Sequence, residues 1–214
     1  MDDVSTSDSI KKIAEANFPT RWGTFRIMGF EGHFGSEEDR RKETAVALVM
    51  GDIHSAPPLV RVHSQCLTGD VFGSLRCDCR QQLELALAMI ATAGAGVLVY
   101  EHQEGRGIGL MAKLQAYELQ DRGRDTVEAN VELGFQPDLR QYSLPVEILK
   151  SLGVKQLKLL SNNPDKVRAL EIAGINVIER VQCEVAPHHH TEKYLTTKRE
   201  KMGHLLSVPA GKKS

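Results

Sequence analysis

Apolar side chains change their spacing several times along the chain, and each change marks an element. Residues 81–93 carry apolar side chains at Leu83, Ala86, Leu87 and Ile90. That i, i+3, i+4, i+7 spacing predicts an amphipathic helix, ended by Gly94 and Gly96. The apolar run 97–100 then reads as a buried strand. A glycine-rich turn, Glu104-Gly105-Arg106-Gly107-Ile108-Gly109, leads into a helix over 110–122. The order recurs downstream. A helix ends over 147–152 with Gly153 as its cap, and a strand follows over 156–160. The turn Ser161-Asn162-Asn163-Pro164, a helix over 165–173 and a strand over 175–181 complete the second unit.

Upstream, 59–63 alternates with period two, so Arg61 and His63 share one face and Val60 and Val62 the other. A half-exposed strand with a solvated polar face fits that pattern, and so does a strand whose polar face lines a site. Residues 22–30 and 44–50 read as strands, and 9–16 as a short helix ended near Pro19. Residues 31–43, polar and interrupted by glycine, read as a surface loop or hairpin tip, 51–58 as a loop, and 192–206 as a charged helix. Strands alternating with helices through short glycine turns predict an α/β fold, a layered one with a mixed, largely parallel sheet flanked by helices. The expected organisation is a single domain over 10–206 between disordered termini, 1–9 and 207–214.

Composition narrows the functional classes. With 27 Lys+Arg against 28 Asp+Glu the net charge is −1, which excludes the bulk electrostatics of a DNA-coating protein. Aromatics at 5%, with one Trp, argue against a multi-base stacking platform for single strands. No apolar run approaches the roughly 18 residues of a membrane span. The start MDDVSTSD is acidic, unlike a secretory or transit signal, and four cysteines are too few for a disulfide scaffold. The expectation is a cytoplasmic protein with reduced thiols, no membrane and no nucleic-acid partner.

The cysteines carry the clearest chemistry. Cys66, Cys77 and Cys79 lie close together in sequence, and ten residues between Cys66 and Cys77 allow the chain to return on itself. Three thiolates converging on a soft, tetrahedral metal are one reading, with zinc the usual choice. Three buried cysteines acting as small hydrophobes are the other, opposed by the polar neighbours Asp70, Arg76, Asp78 and Arg80. Cys183 or His63 is a candidate fourth ligand for a structural site. The absence of a second CxxC or HxxxH favours an open position for water, and so hydrolysis.

Two strand-turn-helix junctions suit anions. In 104–109 the glycines let backbone amides approach a phosphate and Arg106 adds donors; a plain glycine turn is the alternative. The turn is not GxGxxG, since Leu110 stands three after Gly107, and no P-loop occurs. The second junction, Ser161 to Pro164 with Lys166, is otherwise an ordinary helix cap. Asp138 and Arg140 read in isolation as a surface ion pair, Tyr117 as a packing residue on a stripe with Leu110 and Leu114, and His188-His189-His190 as a solvated loop.

Taken together, the stretch Arg61-Val-His-Ser-Gln-Cys-Leu-Thr-Gly-Asp-Val-Phe-Gly-Ser-Leu-Arg-Cys-Asp-Cys79 resembles the zinc signature of the GTP cyclohydrolase II family. So do Gln103 to Leu110, Ala116 to Asp121, Asp125 to Asn130, Asn162 to Pro164 and Lys201 to Leu206, in order. The resemblance implies hydrolysis of GTP at the imidazole ring, releasing formate and pyrophosphate and giving 2,5-diamino-6-ribosylamino-4(3H)-pyrimidinone 5′-phosphate, the first step of riboflavin biosynthesis. It implies one zinc per chain on Cys66, Cys77 and Cys79 with a water, magnesium with the triphosphate, and a homodimer. Arg140 is implied as nucleophile at the α-phosphate, Asp138 as its proton acceptor, and Tyr117 in ring opening. GTP contacts are implied at Arg61, Val62, His63, Ser64, Gln65, Gln82, Glu104, Gly105, Arg106, Thr126, Ser161 and Lys166. The dihydroxybutanone-phosphate synthase domain fused to some members is not expected, since about a dozen residues precede the matching region.

Three positions depart from the family pattern. Gln65 and Leu139 stand where Glu is usual. Arg80 stands where Gly follows the CxC, a place where a left-handed backbone would be strained and where a cation would lie near the metal. A divergent relative acting on another nitrogen heterocycle, of the uracil-catabolism type, is one alternative. A non-catalytic zinc-containing nucleotide- or nucleic-acid-binding module is another, opposed by the presence of Tyr117, Asp138 and Arg140.

Overall fold

The computed structural model describes residues 9–35, 40–136, 138–185, 191–203 and 205–206. The expectations for 1–8, for 207–214 and for His188-His189-His190 lie outside the described residues. Seven strands occur among the described residues: β1 (Ser9–Thr20), β2 (Gly23–Phe34), β3 (Arg41–Met50), β4 (Leu59–Ser64), β5 (Gly96–Glu101), β6 (Gln156–Leu160) and β7 (Asn176–Val181). They form one mixed sheet in the order β1-β2-β3-β5-β4-β6-β7. The first three strands and β5 pair antiparallel, whereas β5-β4, β4-β6 and β6-β7 pair parallel. The helices are α1 (Cys79–Ala93), α2 (Leu110–Asp121), α3 (Thr126–Glu132), α4 (Ser143–Ser151), α5 (Pro164–Ile172) and α6 (Glu192–Met202). None of them is long and apolar enough to cross a membrane.

The expected helix over 9–16 is instead the edge strand β1. Its Lys, Ala and Glu favour a helix, but pairing with β2 from Ser9↔His33 to Thr20↔Gly23 overrides that weak propensity. Thr20 Oγ1 donates to the Gly23 carbonyl at 2.8 Å and closes the hairpin. The loop expected over 31–43 is largely strand as well. Burial alternates through Phe30, Gly32 and Phe34, and a Cβ at Gly32 would lie 2.5 Å from the Phe34 ring. The glycine that resembles a loop signal is there to let the Phe34 ring lie flat against the strand.

Alternation along the strands splits the core between two faces. On one, Val60, Val97, Val99, Leu157 and Leu159 pack with Leu144, Ile148 and Leu149 of α4 and Leu170 of α5. On the other, Phe25, Leu48, Leu98 and Leu160 pack with Ala86, Leu87 and Ile90 of α1. Each such side chain contributes roughly 1.5–3 kcal/mol by leaving water. Leu59 belongs to the α1 face, and on β4 that face continues as Arg61 and His63. The carboxyl ends of β4, β5 and β6 meet there, the usual place for a ligand in a parallel sheet.

Candidate functional site

Beyond β4 the chain turns tightly through Leu67–Val71, and a following loop returns it so that Cys77 and Cys79 face Cys66. All three sulfurs lie within 4.8 Å of one another, with Cys66 and Cys77 at 3.7 Å. The turn packs against them so closely that a Cβ on Gly69 would lie 2.8 Å from the Cys77 sulfur and 3.1 Å from that of Cys66. Asp70 fixes the turn, accepting from the Cys66 amide at 3.0 Å and the Tyr100 hydroxyl at 2.8 Å, with His63 Nε2 at 3.3 Å. Burial holds the His63 imidazole below its ordinary pKa, against the pull of Asp70, so it is neutral near pH 7.

Charge is supplied from α2 and the glycine turn. Lys113 Nζ lies 3.2 Å from the Cys66 sulfur and 2.7 Å from a Glu104 oxygen, while the other Glu104 oxygen accepts from the Leu67 amide at 2.6 Å. As free thiols, Cys77 and Cys79 hydrogen-bond Cys66 and, with Lys113, keep it a thiolate. Hydrogen bonding to Cys66, with burial, in turn pushes Cys77 up to about 11. Three clustered soft donors, with Lys113 beside Cys66 to favour its thiolate, fit a soft divalent metal ion. Among the described residues no fourth ligand joins them. Cys183 sits in the core with Phe25 and Leu48, its backbone bonded to Asn162, and His63 is taken by Asp70.

The rest of the cleft is basic. Seven arginines and lysines line it against one carboxylate, Glu104, in an open volume of about 1050 Å³. Arg61 reaches the Leu160 carbonyl at 3.0 Å and Gln82 Oε1 at 2.7 Å, leaving its buried Nε unpartnered. Arg106 has φ +64, the sole left-handed non-glycine backbone among the described residues, and its buried Nη2 is also unpartnered. Lys166, at the start of α5, donates to the Val62 carbonyl at 2.8 Å. Burial, with Arg140 and Arg61 nearby, pulls its pKa well below the lysine range. Asp138 holds Arg140 in a two-pronged pair, Nε to Oδ1 at 2.9 Å and Nη2 to Oδ2. Burial opposes both ionisations, yet the contact lowers the Asp138 pKa and raises that of Arg140.

All the expected site residues line this cleft except Val62 and Asp138. Val62 faces away and offers its carbonyl, while Asp138 holds Arg140. The packing account of Tyr117 is overturned. Leu114 is exposed, and the cleft face of α2 is Lys113, Ala116, Tyr117 and Gln120. Tyr117 shares a hydrogen bond with Thr68 at 3.1 Å and lies under the Arg76 guanidinium. Sequence reasoning missed Lys113, although it shares an i, i+4 face with Tyr117. It also missed α3, whose capping box, Asp125 with Glu128, was legible and which brings Thr126 and Asn130 to the cleft. Tyr194 and Lys198 of α6 have no local signal.

None of the three departures strains the backbone, since Gln65, Arg80 and Leu139 all avoid the left-handed region. Arg80 lies in the first turn of α1 with no left-handed backbone, so the expected strain is absent, and it pairs with Glu84 at 3.1 Å. Leu139 is set by its backbone, donating to the Arg106 carbonyl at 3.0 Å. The Gln65 amide donates to the Glu101 carbonyl at 2.9 Å, and the residue lines the cleft.

Known proteins carry the same chain pattern. The "GTP cyclohydrolase-2" of Enterobacter sp. is 54% identical over 199 residues, 92% of this chain and 98% of that one. The "Riboflavin biosynthesis protein RibBA" of Chlorobium phaeovibrioides is 52% identical over 206 residues, 96% of this chain and 49% of that one. The RibBA of Bacillus subtilis is 51% identical, covering 92% and 48% respectively, so the chain spans about half the length of these two relatives. A sequence model described as GTP cyclohydrolase II matches residues 11–182, and with these relatives it shows that the chain belongs to the GTP cyclohydrolase II family.

Proposed function

We propose that the protein hydrolyses GTP at the guanine imidazole ring, releasing formate and pyrophosphate and forming 2,5-diamino-6-ribosylamino-4(3H)-pyrimidinone 5′-phosphate, the first step of riboflavin biosynthesis. The observation that carries this reading is one cleft holding a three-cysteine cluster together with cations enough for a triphosphate. Cys66, Cys77 and Cys79 are the residues that would hold zinc, and the Gly69 cradle leaves the sulfurs free to close on an ion. Bound zinc supplies Lewis acidity and hydroxide at neutral pH. Magnesium enters with the triphosphate.

The chain's own residues divide the remaining tasks. Arg61 and Arg106 hold unpartnered guanidinium nitrogens toward the cleft, ready donors for a bound nucleotide. Burial, with Arg140 and Arg61 nearby, lowers the Lys166 pKa in the free protein, and an arriving phosphate would favour its charged form. Ser161 and Thr126 offer hydroxyls, and Tyr117, raised by burial, keeps its proton for donation at the ring. Arg140 acts at the α-phosphate with Asp138 as its proton acceptor. In the free protein Asp138 Oδ1 accepts from Arg140 Nε at 2.9 Å, a pairing that favours the charged guanidinium and the carboxylate. A homodimer and a cytoplasmic location, where thiols stay reduced, belong to the same reading.

The test is incubation of zinc-loaded protein with GTP and magnesium, with products identified by mass. Formate with the diaminopyrimidine is the expected result. A formylated ring-opened product alone marks a partial catalyst. Unchanged GTP, with another nitrogen heterocycle consumed, overturns the reading in favour of a divergent branch. Sedimentation velocity on the same sample checks the dimer.

A further inference from the structure

Far along the chain from the other cleft elements, α6, which starts at Glu192, puts two side chains into the cleft. Lys198 Nζ donates to Asp78 Oδ1 at 2.9 Å, and Asp78 is the middle residue of the CxC. The other Asp78 oxygen accepts from the Gln82 amide nitrogen. That contact fixes the amide, so that Gln82 Oε1 faces Arg61 Nη2 at 2.7 Å. The guanidinium is thereby oriented, with its Nε buried and unpartnered at the cleft.

A second path starts one turn earlier. The Tyr194 ring takes the Lys198 ammonium 4.4 Å from its centroid and the Arg106 guanidinium at 5.7 Å. Arg106 is the residue with the left-handed backbone and the unpartnered Nη2. Both arginines that, among the described residues, keep an unpartnered buried nitrogen are therefore tied to α6.

We propose that α6 positions the substrate-facing arginines, Arg61 through the relay Lys198–Asp78–Gln82 and Arg106 through the face of Tyr194. Lys198 and Tyr194 are positioning residues; neither is a metal ligand or a member of the reacting groups. The role presupposes the cyclohydrolase reading only in naming GTP as what the arginines meet. A relay of buried, charge-assisted bonds carries orientation well, because each partner left unpaired is costly. Removing Lys198 leaves Asp78 buried without its cation and frees the Gln82 amide to rotate.

The experiment has two readouts on zinc-loaded, full-length protein. The first is the arginine Nε–H signals in 15N spectra, assigned with Arg61→Lys and Arg106→Lys. Lys198→Met and Asp78→Asn should each shift the Arg61 signal, Tyr194→Leu should broaden that of Arg106, and Arg199→Ala should move neither. The second is turnover, where Lys198→Met should raise KM for GTP about tenfold with kcat changed far less, and Lys198→Arg should restore it. Arg61 and Arg106 signals that ignore all three α6-relay variants overturn the proposal, whatever GTP does. Signals that move while KM stays at the wild-type value overturn the substrate role of α6. If the signals move and wild-type protein leaves GTP intact, the coupling stands and the cyclohydrolase reading is what fails.

Discussion

Gly69 shows how tightly a single position constrains the cysteine cluster. Its missing side chain is occupied by two sulfurs, and a methyl group there would sit 2.8 Å from Cys77 Sγ. Gly69→Ala should therefore weaken zinc binding by about tenfold or more, with the fold retained, as read by competition against a chelating dye. Wild-type affinity in that variant would mean the turn yields easily and the cradle is not shaped for an ion. Protonation gives a second residue-level outcome. Hydrogen bonds from Cys77 and Cys79 lower the Cys66 pKa, hydrogen bonding to Cys66 pushes Cys77 up to about 11, and Cys79 is raised by its hydrogen bonds to Cys66 and Cys77. Zinc binding near pH 7 should then release about two protons, and affinity should fall as pH falls. Calorimetry in two buffers of different ionisation enthalpy measures the number; three protons would show Cys66 to be a neutral thiol. Cys66→Ser, Cys77→Ser and Cys79→Ser should each lose the metal. Cys183→Ser should keep it, because Cys183 packs in the core beside Phe25. Loss of metal from Cys183→Ser as complete as from Cys77→Ser would make the site a four-thiolate, structural one.

Elements decide which of these residues meet. The short helix α3 is held by Asp125, whose carboxylate accepts from the Val127 amide at 2.8 Å and the Glu128 amide at 3.0 Å. Asp125→Ala should cost about 1 kcal/mol and lower the melting midpoint by about 2–4 °C. Zinc content should be unchanged, since α3 carries no cysteine, while KM for GTP should rise because Thr126 and Asn130 lose their footing. A KM equal to wild type would remove α3 from the binding surface. The two strand-helix units after β4 were legible because their periodicity is strong and glycine punctuates each end. On β4 the alternation was equally plain, but alternation alone does not distinguish solvent from a cleft. Burial of Arg61 and His63 in the fold resolves it. The edge strand β1 was not legible, because pairing with β2 rather than local preference makes it a strand. Likewise Tyr194 and Lys198 belong to a polar helix whose sequence gives no sign that one side meets a cleft. Their partners, Arg106 and Asp78, are remote in the chain.

Across the whole molecule the cleft joins a three-cysteine cluster and a carboxylate-held arginine. The sulfur cluster is held by Gly69, Asp70 and Lys113, whereas Arg140 is held by Asp138 and faces the Tyr142 ring at 5.9 Å. Among the described residues no contact makes Arg140 a support of the cysteines, so ring opening and pyrophosphate release should be separable by mutation. Cys77→Ser should lose zinc and ring opening together. Arg140→Ala should keep its zinc and lose pyrophosphate release by roughly 10³-fold or more, the scale on which a positioned guanidinium acts at a phosphoryl centre. Arg140→Lys should not restore it, because an ammonium cannot engage the Asp138 carboxylate through two parallel donors. Removing Arg140 also leaves Asp138 partly buried without its cation, so a modest loss of stability should accompany the loss of rate. Zinc content, melting midpoint and pyrophosphate release measured on one preparation separate these effects. Pyrophosphate released at the wild-type rate by Arg140→Ala would reduce the pair to a structural ion pair. Zinc lost from Arg140→Ala would show instead that the two ends of the cleft are one coupled unit.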